Sequence, residues 1–573
     1  MFRPNKKHKQ TVLFGIQNAL PSRLKQKLAN SQYQFFYETI FCNIKEKDFS
    51  VLYSDKASRP NAPINCLVAA LILKNKNNWS YEELFEQIEF NLLTKTALGL
   101  DTLDDIPFDD ATIFNFQNRL MNYHVKTNIN LMEQVFDNLT KDQIQELKIK
   151  TDIQRTDSVM ACSNIHGYTR LQLLVEVLLR LWRMLDETDK AMFESSFSDY
   201  VGKTCGQYIY KLKAAELPHE IEKIAQIYHF CKTNIMPKFQ DSEFAMIFER
   251  VYTEHFTELE EKITVRPSAE LNSSCLQSPD DLDATFRVKR NEEYRGQSIN
   301  IVETASPDNP LNLITDIAVN SNNIDDAQVL TKRTDKILEK TPDLQELHTD
   351  GAYGNPENDI IFEEEGITHV QTAVRGRKCE VAFEIKQTTE EAYQVNCPFQ
   401  SVESQPSGER YKALFSKTIC QNCELAGKCP SVIRKSDRCY YFTYEDYLRN
   451  KRCRTIFDIP SERRKIRPNV EATVHEFSCR MTNGKLKVRG AFKAELFAFS
   501  TAIAVNLGRI YRYKSLKPAP IFVYFSNFVQ IVKERINFWK NMEIYFLIGK
   551  ISKIFSIVTN NYNIFPLFNK LSF

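Results

Sequence analysis

The stretch Glu346-Leu-His-Thr-Asp-Gly-Ala-Tyr-Gly-Asn355 constrains this chain more than any other. Leu344 to Thr349 reads as a short buried strand, and Asp350 stands where that strand stops. Gly351 and Gly354 permit a sharp turn with positive φ. Asn355-Pro356-Glu357 then opens a helix, with Asn355 as N-cap and Pro356 at the first helical position. Strand, turn and helix in that order belong to an α/β layer. A carboxylate at the C-terminal end of such a strand faces the crevice in which α/β folds bind and react. An Asp in a strand-to-helix turn is common on its own, so its weight depends on what the rest of the chain brings to it.

The pattern before residue 150 is helical. Residues 1–60 are polar and basic, with one apolar patch at Phe35, Phe36 and Tyr37. Leu67 to Lys74 reads as a buried helix. Ser80-Tyr-Glu-Glu83 forms a capping box, and Leu84, Ile88 and Leu92 continue that helix at four-residue spacing. Asp110 caps another helix, with Ile113, Phe114 and Leu120 inside. Short capped helices suit either a DNA-reading helix-turn-helix or a packed bundle. No basic recognition face stands out, which favours the bundle.

From Lys150 to Ala161 a strand pattern takes over, carrying Asp152 and Asp157. Asp157, in Arg-Thr-Asp-Ser, falls on a strand that should be central, where a carboxylate is rare unless paired or cation-bound. Residues 168–265 are helical again and read as an insertion; Leu171, Leu174, Leu178, Leu181 and Leu185 mark one face beside Trp182. Strands are expected at 284–289, 297–304 and 311–319, then a helix from Asn323 to about Lys340. The strand before Asp350, a helix, and a strand from Thr368 to Val374 follow. This order predicts a mixed sheet with helices around it.

Residues 375–455 break the pattern. Eight of the fourteen cysteines lie from Cys379 to Cys479. Without a signal-peptide pattern they read as reduced thiols of a cytoplasmic protein. Cys397, Cys420, Cys423 and Cys429 fit a tetrahedral zinc site in a small loop-rich insert. The other reading is ordinary thiols, with Cys439 and Cys453 as replacement ligands. Further on, Asn469 is placed to cap a helix with Glu471 in its first turn. Arg464 and Arg467 lie close by, Asn483-Gly-Lys-Leu-Lys-Val-Arg-Gly490 forms a basic loop, and Phe492 to Tyr511 form a long apolar helix.

The net charge of +2 hides an asymmetry: residues 451–573 carry 22 Lys and Arg against 7 Asp and Glu. A basic C-terminal part points to a polyanion such as nucleic acid. No apolar run is long enough to span a membrane. Asp157, Asp350 and Glu471 then read as one set. Cutting a phosphodiester needs an activated nucleophile and a stabilised leaving oxygen. Two divalent cations roughly 4 Å apart, held by carboxylates, supply both. Asp152 and Glu476 are the weaker alternatives for two of these acids.

At this point the chain resembles the bacterial insertion-sequence transposases of the DDE type. The likeness spans most of residues 60–515. Arg155-Thr-Asp-Ser158 resembles the first-Asp motif, Asp283-Ala-Thr-Phe-Arg-Val-Lys289 the second strand segment, and Thr349-Asp-Gly-Ala-Tyr-Gly354 the second-Asp motif. Arg467-Pro-Asn-Val-Glu-Ala-Thr-Val474, with Gly484-Lys-Leu-Lys-Val-Arg-Gly490, resembles the Glu motif. The resemblance implies an RNase H-like α/β core built on a mixed sheet. A basic segment (1–60) and a helical N-terminal domain (61–147) precede the first part of that core (148–374), which carries the helical insert 168–265. A Cys-rich insert (375–455), the second part with the Glu helix (456–515) and a tail of unplaced role (516–573) complete the chain. It also implies cleavage at terminal inverted repeats and strand transfer into target DNA. Asp157, Asp350 and Glu471 would hold two magnesium ions, with manganese as a substitute. Arg464, Arg467, Lys485, Lys487 and Arg489 would meet double-stranded DNA, and a homodimer would form the active complex. Related sequences often place a Tyr three residues before the Arg and a Lys seven after the Glu. Here those positions are Arg464 and Ser478, which keeps open a transposase-derived DNA-binding protein without the chemistry. A nuclease that cuts without joining is the other alternative.

Overall fold

The computed structural model describes residues 1–516, apart from 11–14, 57–58, 260–261, 374–382 and 390–391. The tail beyond residue 516, Cys379 and the expected strand end at Val374 lie outside the described residues. Residues Met1–Tyr511 form one unit by contact.

The central layer is a mixed sheet. Its first strand is β1 (Ile153–Cys162). A hairpin of β2 (Phe256–Leu259) and β3 (Lys262–Val265) stands apart from it. The sheet continues with β4 (Thr285–Lys289), β5 (Glu292–Thr304), β6 (Ile314–Ser321), β7 (Glu346–Thr349) and β8 (Thr368–Gln371). The order is β6–β5–β1–β7–β8, and β4 pairs with the N-terminal end of β5. β5 runs antiparallel to both β1 and β6, whereas β7 is parallel to β1 and β8 parallel to β7. Parallel neighbours require crossover connections, and the helices Asp326–Lys340 and Pro356–Glu364 supply them.

Side chains alternate across a strand, so the sheet has two distinct faces. Val159, Ala161, Ile299 and Ile301 share one buried cluster with the N-terminal helices and with Ala494 to Leu507 of the helix Ala491–Leu516. Val302 and Leu347 look the other way, onto Leu330, Ile337 and Phe362. The helical N-terminal region thus shares its apolar core with the sheet. The helix Ile64–Lys76 is buried over nearly its whole length, as the run from Leu67 anticipated.

Several boundaries differ from the sequence reading for local reasons. The capping box at Ser80 and Glu83 is present, but that helix ends at Phe90. Asn91 then accepts from the Leu93 and Thr94 amides and starts a new helix, so Leu92 does not continue the old one. Asp109, not Asp110, caps the helix Asp110–Thr127. Phe114 lies on the exposed side of that helix against Tyr81, not inside. The insert is helical from Arg170–Met184 to Glu243–His255, with an apolar core of its own, but the end of the expected range, 256–265, forms the strands β2 and β3 instead.

The Cys-rich insert is not loop-rich. It holds a six-stranded antiparallel sheet of β9 (Glu384–Thr389), β10 (Ala392–Asn396), β11 (Ser401–Ser407), β12 (Arg410–Ser416), β13 (Val432–Ile433) and β14 (Asp437–Phe442). Phe383, Tyr393, Val395, Phe415 and Phe442 bury one face of it. Its helix Tyr444–Asp458 packs on β8 and on the helix Pro356–Glu364.

Candidate active site

Three segments deliver the three acids to one place. Asp157 lies midway along β1, opposite Ile301 of β5. The parallel β1–β7 register pairs Arg155 with His348. Continued by two residues, it sets Asp157 beside Asp350, just beyond the end of β7. Glu471 comes from the helix Val470–Ser478, which packs on β1. Asn469 does not cap that helix. It ends a tight turn, Arg467–Asn469, that runs straight into the helix, and its side chain makes no cap hydrogen bond.

All three carboxylates meet one guanidinium. Arg467 Nη2 lies 2.7 Å from Asp157 Oδ2 and 3.7 Å from Asp350 Oδ2, and Nη1 lies 3.1 Å from Glu471 Oε1. Side-chain exposure rises from 14% at Asp157 through 37% at Asp350 to 67% at Glu471, so the cluster opens to solvent on the Glu471 side. Burial pushes the Asp157 carboxyl above the ordinary range and the Asp350 charge adds to this, against the pull of Arg467 and the Ser158 amide. Among the described residues no group of three or more His, Cys, Asp or Glu side chains is arranged to hold a metal ion. At the three acids, a guanidinium lies between the carboxylates.

The turn at Asp350 is held from below. Asp350 Oδ1 accepts from the Ala352 amide at 2.8 Å, and its carbonyl accepts from Gln371 Nε2 at 3.1 Å. Asn355 caps the following helix through the Asn358 amide, with Pro356 at its start. Neither Gly351 nor Gly354 takes positive φ. Gly354 is needed for space: a Cβ there would stand 1.4 Å from Arg452 Nη1. Arg452 is itself fixed, with Nε 2.8 Å from the buried Asp359 carboxylate and Nη1 donating to Gln371 Oε1 at 2.8 Å. The second-Asp turn is thus braced by the helix that ends the Cys-rich insert.

A buried network sets the Glu471 helix against the sheet, and sequence reasoning missed it. Glu303, at the end of β5 and fully buried, takes Arg155 on Oε1 at 2.7 Å, and Arg509 Nη1 and Thr473 Oγ1 on Oε2, both at 2.7 Å. Arg155 also donates to the Ile466 carbonyl at 2.8 Å, and Arg509 to Glu476 Oε2 at 2.7 Å. Glu476 belongs to this network, not to the acid cluster. Asp152 is excluded too: it lies five residues before Asp157 on an extended chain, about 16 Å away, with its carboxylate on the Ile153 amide. The available signal was Glu303 ending the run Ile299-Asn-Ile-Val, because a strand-end acid beside apolar neighbours needs a buried partner.

Two family models match the chain: a transposase domain (DUF772) over residues 24–119 and a transposase DDE domain over residues 393–511. The chain belongs to the insertion-sequence transposases of the DDE type. No curated protein and no solved structure matches it. The DDE match includes Glu471 and Arg467, while Asp157 and Asp350 lie before it.

The other basic candidates of this transposase are partly engaged with the chain itself. Lys485 Nζ donates to the Ile165 carbonyl at 2.7 Å, Lys487 to the Asn78 carbonyl at 2.5 Å, and Arg489 Nε to the Asn164 carbonyl at 2.8 Å. Their loop turns at Asn483 and Gly484, both with positive φ, and hydrogen-bonds to the end of β1 at Cys162. Arg464 donates to the Ile456 carbonyl at 3.3 Å and stands on the exposed surface. Cys397, Cys420, Cys423 and Cys429 line one pocket. The Gln400 amide and Nε2 point at the Cys397 and Cys420 sulfurs, each at 3.2 Å. Cys439 is buried on β14 opposite Leu414 of β12, and Cys453 sits on the helix Tyr444–Asp458; neither lines that pocket. The described cysteines are all free thiols. No described helix is long and apolar enough to cross a membrane.

Proposed function

We propose that this transposase cuts DNA at the ends of its element and joins the freed 3′ ends to target DNA, with Asp157, Asp350 and Glu471 as its catalytic acids. The convergence of all three on the Arg467 guanidinium carries the reading, since it brings positions 157, 350 and 471 within reach of one cation. The strand order, with one antiparallel neighbour and one parallel neighbour on β1, supports an RNase H-like core. Three carboxylates against one arginine leave a surplus of negative charge, which suits divalent magnesium or manganese as ligand. Such ions, when bound, activate the attacking oxygen and stabilise the leaving one.

The residues of the chain have separable tasks. Asp157, the least exposed acid, is held by the Ser158 amide at 2.8 Å and fixes the floor of the site. Asp350 is oriented by the Ala352 amide. Glu471 stands toward solvent, where a DNA strand arrives. Arg467 and Arg464 present guanidinium groups that pair with phosphate, and the basic C-terminal part makes duplex binding salt-sensitive. The protein acts in the cytoplasm as a homodimer on two element ends.

A strand-transfer assay with purified protein, element ends and supercoiled plasmid in magnesium tests this. Insertion products are expected. Linear products alone would point to a nuclease, and binding without cleavage to a transposase-derived DNA-binding protein. One observation favours the last reading: Ser478, at the position where the resemblance leads one to expect a Lys, closes its hydroxyl on the Val474 carbonyl and offers no charge.

The thiol pocket is a separate proposal. Four sulfurs lining one pocket, two of them receiving N–H donors, are a donor set for zinc. About one zinc per chain is expected, lost in Cys423→Ser together with part of the insert's stability. Metal analysis of the purified protein finding no zinc would leave these thiols as packing groups.

A further inference from the structure

Arg467 is held differently from the two arginines buried near it. Arg155 places Nε, Nη1 and Nη2 on Glu303 and the Ile466 carbonyl. Arg509 places its three nitrogens on Glu303, Glu476, Thr473 and the Asn312 carbonyl. Both are structural ties with every nitrogen used. Arg467 has one close contact to Asp157, a looser one to Glu471 and a long one to Asp350. Its Nε is buried and has no partner. The stem, by contrast, is fixed: Arg155 grips the preceding carbonyl at Ile466, and Pro468 follows with its φ locked. A fixed stem therefore carries an incompletely satisfied head, and that head lies among more negative charge than it neutralises.

We propose that Arg467 is the resident counter-cation of the acid cluster in the DNA-free enzyme. It keeps the three carboxylates converged, competes with divalent cations for them, and leaves when a DNA phosphate takes its guanidinium. This rests on the reading of Asp157, Asp350 and Glu471 as the cation-holding set. A guanidinium pairs in the same forked manner with carboxylate and with phosphate, but one side chain cannot do both at once. Cation affinity is then coupled to DNA binding, and the free enzyme is poorly loaded. An arginine occupying the cluster about nine-tenths of the time weakens apparent cation affinity about tenfold.

The test is manganese binding by the full chain, read from the electron paramagnetic resonance signal of the free ion. It is measured with and without a short duplex. Wild type, Arg467→Gln and Arg467→Lys are compared, with an Asp157→Asn/Asp350→Asn double variant as the blank. Without DNA, Arg467→Gln is expected to bind manganese about tenfold more tightly than wild type, and Arg467→Lys to stay near wild type. Duplex should tighten binding to wild type by a similar factor and barely change Arg467→Gln. Equal or weaker binding by Arg467→Gln would overturn the competition while leaving the acid assignment standing. Equal binding by the double variant and wild type would remove the acid assignment, and this proposal with it.

Discussion

With asparagine in place of Asp350, the transposase is expected to stop cutting DNA while keeping its grip on it. The substitution is nearly isosteric. The amide oxygen of asparagine can still accept from the Ala352 amide, as Asp350 Oδ1 does at 2.8 Å, so the turn survives. What disappears is the charge facing Arg467 and, on the function proposed above, a ligand for the cations. Loss of a supporting outer contact at a metal site costs roughly 10- to 100-fold; loss of a ligand should lower the cleavage rate by more than about a hundredfold. DNA affinity should hold or rise, because one negative charge leaves the path of the phosphates. Cleavage of a terminal-repeat duplex in magnesium at the wild-type rate would show that Asp350 is not one of the catalytic acids.

The second large effect concerns stability. Glu303→Ala should destabilise the sheet and the Glu471 helix together, because Arg155 and Arg509 would both lose the carboxylate between them. Removing one partner from a buried charge network leaves an uncompensated buried ion, typically at roughly 3–5 kcal/mol. Here two guanidinium groups and the Thr473 hydroxyl lose their acceptor at once, which places the change at the upper end of that range. Glu303→Gln, which keeps two acceptor sites on one oxygen, should be milder. A urea melt followed by circular dichroism measures both. An alanine variant with the wild-type midpoint would mean that the network does not hold the core together.

Parts of this arrangement were legible before any coordinates. The Ser80 capping box, the Asn355-Pro356 helix start and the buried Leu67 run are local signals, and local physics decides them. The element order of the central sheet was legible too, since it follows from where strand text gives way to helix text. The three acids were read as a set from motif likeness; Asp350 alone lies at a strand end, Asp157 being midway along β1, and all three meet one guanidinium. The bracing around them was not legible, because each brace joins residues far apart in the chain. Glu303 meets Arg155 across a strand pair and Arg509 across some two hundred residues, and no spacing rule connects them. Gly354 was read as a hinge for φ, whereas its small size admits the Arg452 side chain, which arrives from the Cys-rich insert. The sheet of that insert was hidden by the polar text of its strands. Arg467 was expected at the site, but its position between the acids depends on the fold.

The helix Ala491–Leu516 threads between the N-terminal helices and the sheet, and Arg509 near its end completes the charge network beneath Glu471. A growing chain on the ribosome therefore has Asp157 and Asp350 long before it has a finished core. A copy of the gene stopped by a nonsense codon before position 491 would leave Glu303 without Arg509 and one face of the sheet without the helix Ala491–Leu516. Damaged copies should then yield aggregates or fragments for proteolysis, not competent scissors loose among the host's own sequences.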